Sequence, residues 1–320
     1  MIIEILLLIT GLIVLILGAH WLVEGASSVA ARLGISAFTI GLTVVAFGTS
    51  MPEFVVNILA SYSGNSGLAI GNIVGSNTIN ILLIVGIAAL IKPVNVKSTT
   101  VRIEIPFTLL AAIILLVLTN DVIIDKGSEP ILTRSDGITL LLFFSIFLYY
   151  TFLSAKTDIS APVSSVKVRK GYLSVLMVLG GIIGLYIGGK LIVDSATIIA
   201  RALGVSDSLI GLTIVAIGTS LPELVTSVVA AYKGNSDIAI GNILGSNIFN
   251  IFMVLGFSSL IMPIPLYAGF NVDILVTCLA SLLLFTFALA GPGQKIDRKE
   301  GALFVTIYLA YMAYLIVFTN

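Results

Sequence analysis

The chain has 320 residues, 58% of them hydrophobic and only 10% charged, with 16 basic against 16 acidic side chains and a mean hydropathy of +1.17. That composition excludes an ordinary soluble domain, and zero net charge without a long basic block excludes a nucleic-acid-binding surface. Its one cysteine, Cys278, excludes an internal disulfide, a Cys-rich zinc site and an iron–sulfur cluster, and reads as core packing.

In chain order, ten apolar runs are long enough for a spanning helix of roughly 20 residues: 2–24, 36–62, 67–91, 103–119, 137–155, 171–194, 206–231, 237–262, 272–290 and 301–318. Each is continuously apolar, whereas a barrel strand alternates. The expected fold class is an all-α integral membrane protein with ten transmembrane helices. The run 2–24 lacks a basic leader and a small-residue cleavage site, so it is expected to stay as a helix.

The second and third runs share a stretch with the seventh and eighth. Gly41–Ile81 aligns without a gap onto Gly211–Ile251 at a shift of 170 positions, with 26 of 41 pairs identical. This is an internal repeat. Five helices per copy is an odd number, so the second copy must enter the membrane from the opposite face. The expectation is two inverted five-helix repeats, 1–155 and 171–320, joined by the polar linker 156–170. Such repeats place a substrate site near the midplane, where interrupted helices from both halves meet. Only Lys126, Arg134, Lys190 and Arg201 fall on one side of this topology, while the other twelve Lys and Arg fall on the side of the linker. The positive-inside rule then gives a multi-pass cell-membrane protein with a cytoplasmic linker and both termini outside.

Of the 16 carboxylates, only Glu53 and Glu223 lie near the middle of an apolar run, and they are repeat mates. Glu4, Glu24, Glu104, Asp194 and Asp273 lie near run ends, where water is expected within reach. A lone intramembrane glutamate is as readily a structural group as a functional one; a symmetric pair beside prolines points to an ion site. Pro52 cannot donate to the carbonyl of Gly48, nor Pro222 to that of Gly218, so the second and seventh helices are expected to be broken there. Thr49, Ser50, Thr219 and Ser220 add hydroxyls at the same level, although Ser and Thr also bond back to the preceding turn. In the next helix of each copy, Asn72, Ser76 and Asn80, and Asn242, Ser246 and Asn250, form one stripe. Ser76, Asn80, Ser246 and Asn250 read as ligands, Asn72 and Asn242 as structural, and Asn77 and Asn247 as bonded to neighbouring backbone. Gly71, Gly75, Gly241 and Gly245 read as surfaces for close helix approach.

The set is made of hard oxygens without thiolate, and the only histidine, His20, reads as interfacial. Oxygen donors of this kind suit calcium or alkali cations, with calcium taking 6–8 of them. No nucleophile or nucleotide motif accompanies the two carboxylates, so the chain does not read as an enzyme, and no cofactor is called for.

With GTS-x-PE followed by GN-x-x-GSN-x-x-N in both copies, the chain resembles the calcium/cation antiporter superfamily, and most closely the sodium/calcium exchangers of prokaryotes. The resemblance spans essentially the whole chain. It implies that Glu53 and Glu223 bind calcium, and that they share sodium sites with Thr49, Ser50, Ser76, Asn80, Thr219, Ser220, Ser246 and Asn250. It further implies that Ala46 and Ala216 contribute backbone carbonyls, and that the first and sixth helices move against the rest. Asn250 stands where some relatives, potassium-dependent exchangers included, carry aspartate, which argues against potassium co-transport. The expected function is sodium/calcium antiport by alternating access, electrogenic if three sodium ions are exchanged. The alternatives are a proton/calcium exchanger, disfavoured by the GTS-x-PE pattern, and a passive calcium channel.

Overall fold

The computed structural model describes residues 2–64, 66–124, 126, 129–157, 168–204, 216–266, 269–290 and 294–318. The described chain is helical, apart from four two-residue strands that tie connections together. Apart from a single turn at Asp121–Ile124, the helices are α1 (Ile2–Leu33), α2 (Ala37–Thr49), α3 (Met51–Tyr62), α4 (Gly67–Ile91), α5 (Ser98–Leu118), α6 (Arg134–Ala155), α7 (Gly171–Ala202), α8 (Ala216–Thr219), α9 (Leu221–Tyr232), α10 (Ser236–Ile261), α11 (Phe270–Ala290) and α12 (Arg298–Val317). Eight of them are long and apolar enough to cross a membrane, or nine spans if the bent pair α2–α3 counts as one. The remaining run, 206–231, begins on residues 205–215, which lie outside the described residues, as does most of the linker; its described part is α8 and α9.

Local chemistry sets the element ends. Ser36 caps α2 by accepting the Thr39 N–H at 3.0 Å. Gly34 and its repeat mate Gly204 take φ of +66° and +83°, where the chain turns out of α1 and α7 in the left-handed region open to glycine. Ser50 (φ −85°, ψ 4°) interrupts the second span, and Pro52 opens α3 in the first helical turn, where its missing N–H costs nothing. The two pieces meet at 44°. Ser220 (φ −87°, ψ 2°) and Pro222 repeat the same join between α8 and α9.

Burial sorts the helices into layers. The most apolar window of α10 is entirely buried and that of α4 is 78% buried, against 22% for α1 and 28% for α7. α4 and α10 therefore form the centre, with α2 and α9 packed on α10 and α3 on α4. Close approach of α2 to α10 depends on glycine, because a Cβ at Gly241 would lie 2.5 Å from the Phe38 carbonyl and 2.8 Å from the Leu42 nitrogen. At the periphery α1 and α7 pack extensively along one another. A Cβ at Gly18 would meet the Leu185 nitrogen at 2.8 Å, and one at Gly181 would meet the Leu22 nitrogen at 2.6 Å, so the two backbones touch.

Strand β1 (Val94–Asn95) pairs antiparallel with β4 (Lys295–Ile296), and β2 (Ile131–Leu132) with β3 (Ile264–Pro265). Each ladder joins a connection from one half to a connection from the other.

Two expectations need correction. α1 continues to Leu33 and α7 to Ala202, beyond the runs 2–24 and 171–194. Glu24 does not stop α1, because Arg169, arriving from the linker, pairs with it at 2.6 Å and donates its backbone N–H to Ser28 one turn later. Glu104 and Asp273 do not face water. They are 5% and 9% exposed, and each accepts a tyrosine hydroxyl at 2.6 Å, from Tyr150 and Tyr311 on the following helices α6 and α12.

Candidate ion-binding site

Both breaks and both central helices converge on one point. Glu53 opens α3 and Glu223 opens α9, in the first turn where backbone N–H groups are unpaired and the helix dipole favours negative charge. Both side chains are fully buried. Ser50, at the first break, donates to Glu223 Oε1 at 2.9 Å, so the two halves are bonded across the site. Ser246 donates to the same oxygen at 3.3 Å, as its mate Ser76 donates to Glu53 Oε1 at 3.4 Å. Ser220 donates to Ser76 Oγ at 3.0 Å.

The threonines are held from behind. Thr49 donates to Asn242 Oδ1 at 3.0 Å and Thr219 to Asn72 Oδ1 at 3.2 Å. Asn242 in turn donates to Ser227 Oγ at 3.0 Å, and Asn72 to Asn57 Oδ1 at 2.9 Å. Asn72 and Asn242 thus each link a break threonine to the helix behind it. Asn57 and Ser227 escaped the sequence reading, although their signal was present: each is a repeat-related polar residue four positions after a central glutamate.

Asn80 and Asn250 lie in π-helical turns, Ile79–Ile84 and Phe249–Leu255, and both are fully buried. Such wide turns mark functional sites, and no residue pattern announced them. Asn77 and Asn247 bond to more than neighbouring backbone. Asn77 donates to the Asn247 carbonyl at 3.2 Å, but it also accepts from Asn250 at 3.1 Å, while Asn247 accepts from Asn80 at 2.9 Å. Ala46 lies one turn before Thr49, and its carbonyl accepts the Ser50 N–H at 2.9 Å and the Thr49 hydroxyl at 3.2 Å. Ala216 opens α8 at the corresponding place in the second copy.

Four oxygens remain after this accounting. Glu53 Oε2, Glu223 Oε2, Asn80 Oδ1 and Asn250 Oδ1 are buried and have no hydrogen-bond partner among the described residues. They are two repeat-related pairs, and all four are acceptors. An orphaned buried acceptor is costly, and two buried carboxylates without a countercharge are costlier still. A cation answers both costs, and oxygen-only donors of this kind select a hard one. Among the described residues no three His, Cys, Asp or Glu side chains come together as a transition-metal cage would require.

Residues 3–153 and 173–317 match the family model described as sodium/calcium exchanger protein. The chain is 38% identical to the putative antiporter CaxA of Alkalimonas amylolytica, over 97% of this chain and 98% of that protein. It is 32% identical to the sodium/calcium exchanger MaX1 of Methanosarcina acetivorans, over 97% of each. Among solved structures, the sodium-calcium exchanger NCX_Mj soaked with 2.5 mM Na+ and 0.1 mM Ca2+ superposes with a TM-score of 0.85 at 36% identity, covering 98% of this chain and 99% of that one.

Proposed function

We propose, for a chain that belongs to the sodium/calcium exchanger protein family, secondary antiport of sodium against calcium across the cell membrane by alternating access. The four orphaned acceptor oxygens carry this reading: they lie at the meeting point of the two copies and need a cation. Calcium is held by Glu53 and Glu223. Sodium ions share these carboxylates with Thr49, Ser50, Ser76, Asn80, Thr219, Ser220, Ser246 and Asn250 and with the carbonyls of Ala46 and Ala216. The family is one of ion transporters, and the chain is not an enzyme.

The architecture proposed around the site is ten spanning helices in two inverted five-helix repeats, residues 1–155 and 171–320. The linker 156–170 is cytoplasmic, both termini are outside, and the seventh span is broken at Ser220 as the second is at Ser50. Same-side contacts support this topology. The β1–β4 ladder joins two connections assigned to the linker side, the Lys97–Asp237 ion pair at 2.9 Å joins one of them to the linker-side start of α10, and β2–β3 joins two connections from the other side. α1 and α7, welded to each other and little buried elsewhere, are the pair proposed to move against the rest. Asn250, adding no charge, supports independence from potassium.

The test separates exchange from leakage. Purified protein in vesicles loaded with sodium is expected to take up calcium from sodium-free medium, and vesicles loaded with an impermeant organic cation to take up almost none. Equal uptake in both would identify a channel and sink the antiport reading.

A further inference from the structure

We propose that Asn77 and Asn247 are positioning residues that fix which way the Asn80 and Asn250 carboxamides face, oxygen toward the ion and nitrogen away. The inference rests on the ion-exchange reading of the site. An amide is a cation ligand through its oxygen alone; turned over, it aims two N–H groups at the ion and repels it. Asn80 and Asn250 are therefore useful in only one of two orientations of nearly equal shape.

Asn77 supplies the reference. Its Nδ2 donates to the Asn247 backbone carbonyl at 3.2 Å, and a carbonyl can only accept, so the Asn77 oxygen must point the other way. That oxygen meets Asn250 at 3.1 Å and obliges Asn250 to present its nitrogen, which also donates to Ser76 Oγ at 3.3 Å. Asn250 Oδ1 is thereby turned away from both partners and left as an orphaned acceptor. In the other half Asn247 Oδ1 accepts from Asn80 Nδ2 at 2.9 Å, which orphans Asn80 Oδ1 in the same sense. All four amides are buried. Asn77 and Asn247 are not ligands themselves, because each directs its oxygen at a neighbouring amide, and the atom that Asn247 has to spare is a donor, Nδ2.

The two halves differ in one useful respect. Asn77 uses both ends of its amide, whereas Asn247 Nδ2 has no partner among the described residues. Asn247→Asp therefore keeps the acceptor for Asn80, gives up an unpaired nitrogen and adds a negative charge, which does not weaken cation binding. Asn247→Leu and Asn77→Leu keep the branched shape and remove the acceptor, and Asn77→Leu also removes the donor to the Asn247 carbonyl.

The experiment compares these three variants with the unsubstituted protein. It reads the half-saturating calcium concentration and maximal rate of sodium-dependent uptake, and the calcium-induced rise in Tm in detergent. Removing a group that orients a metal ligand weakens binding by about 10- to 100-fold. Both leucine variants are expected to raise half-saturating calcium by that factor and to shrink the Tm rise, with the maximal rate altered less than the affinity. Asn247→Asp is expected not to raise it. If leucine prevents insertion, Asn77→Ala and Asn247→Ala are read in the same way. Wild-type calcium affinity in the acceptor-less variants, or an equal loss in Asn247→Asp, would overturn the proposal. If the unsubstituted protein binds calcium but does not exchange it for sodium, the functional reading fails while the binding comparison still decides the orientation.

Discussion

Glu53 and Glu223 each have one oxygen bonded and one orphaned, an arrangement that weakens the empty protein and strengthens the loaded one. Replacing either by glutamine keeps the size and removes one of the two charges that offset a divalent ion. Loss of one member of a buried charge pair costs about 2–5 kcal/mol in binding, roughly 30-fold or more in affinity. Glu53→Gln and Glu223→Gln are accordingly expected to abolish calcium exchange. Each should also raise the calcium-free Tm, since relief of the empty-site repulsion remains while the ligand is lost. Thermal melting with and without calcium, together with uptake, checks both halves of this expectation. Near-normal flux in either purified variant would remove the assignment. These glutamates were legible in the sequence because each stands alone, in duplicate, in apolar surroundings. Asn57 and Ser227 were harder to see, since the two differ from each other, although each is a polar residue four positions after a central glutamate.

At the scale of elements, the α1–α7 seam makes a contrast that composition hides. Gly180 and Gly181 are adjacent, yet a Cβ at Gly180 would meet the Trp21 ring at 3.4 Å, an ordinary contact, while one at Gly181 would strike backbone at 2.6 Å. Overpacking of this kind costs about 1–3 kcal/mol, and alanine otherwise gains up to about 1 kcal/mol over glycine in a helix. Gly181→Ala is expected to lower Tm, and Gly180→Ala to leave it unchanged or raise it, both measured by thermal melting in detergent. An unchanged Tm in Gly181→Ala would mean that the seam can open at little cost. The breaks at Ser50 and Ser220 could be read from Pro52 and Pro222, which constrain local backbone directly. The π-turns around Asn80 and Asn250 could not, because a widened turn is set by what packs against the helix and has no residue signature. For the same reason the full length of α1 was hidden: the partner that lets Glu24 stay helical, Arg169, is supplied by a segment 145 positions away. Glu104 and Asp273 looked solvated because the tyrosines that cover them stand on other helices.

At the scale of the molecule, the repeat made the ion site readable, since a gapless shift of 170 positions over Gly41–Ile81 ties each site residue in one copy to a mate in the other. For the proposed exchange, coupling follows from charge. With asparagine at 80 and 250, the site's formal charge comes from Glu53 and Glu223 alone, so it stands at −2 when both are ionised and one calcium ion neutralises it. Three sodium ions, as the resemblance implies, would leave it at +1. One cycle that carries calcium in and three sodium ions out then moves one positive charge outward, worth about 2.3 kcal/mol per 100 mV. Protons compete for the same two carboxylates, so acid is expected to inhibit.

Calcium uptake into sodium-loaded proteoliposomes, under an imposed potential and with a pH gradient as the control, tests sodium-coupled exchange most directly. An outward sodium gradient is predicted to drive uptake, an inside-positive potential to speed it, and a pH gradient without sodium to drive little. Uptake driven equally well by protons in the absence of sodium would contradict the account.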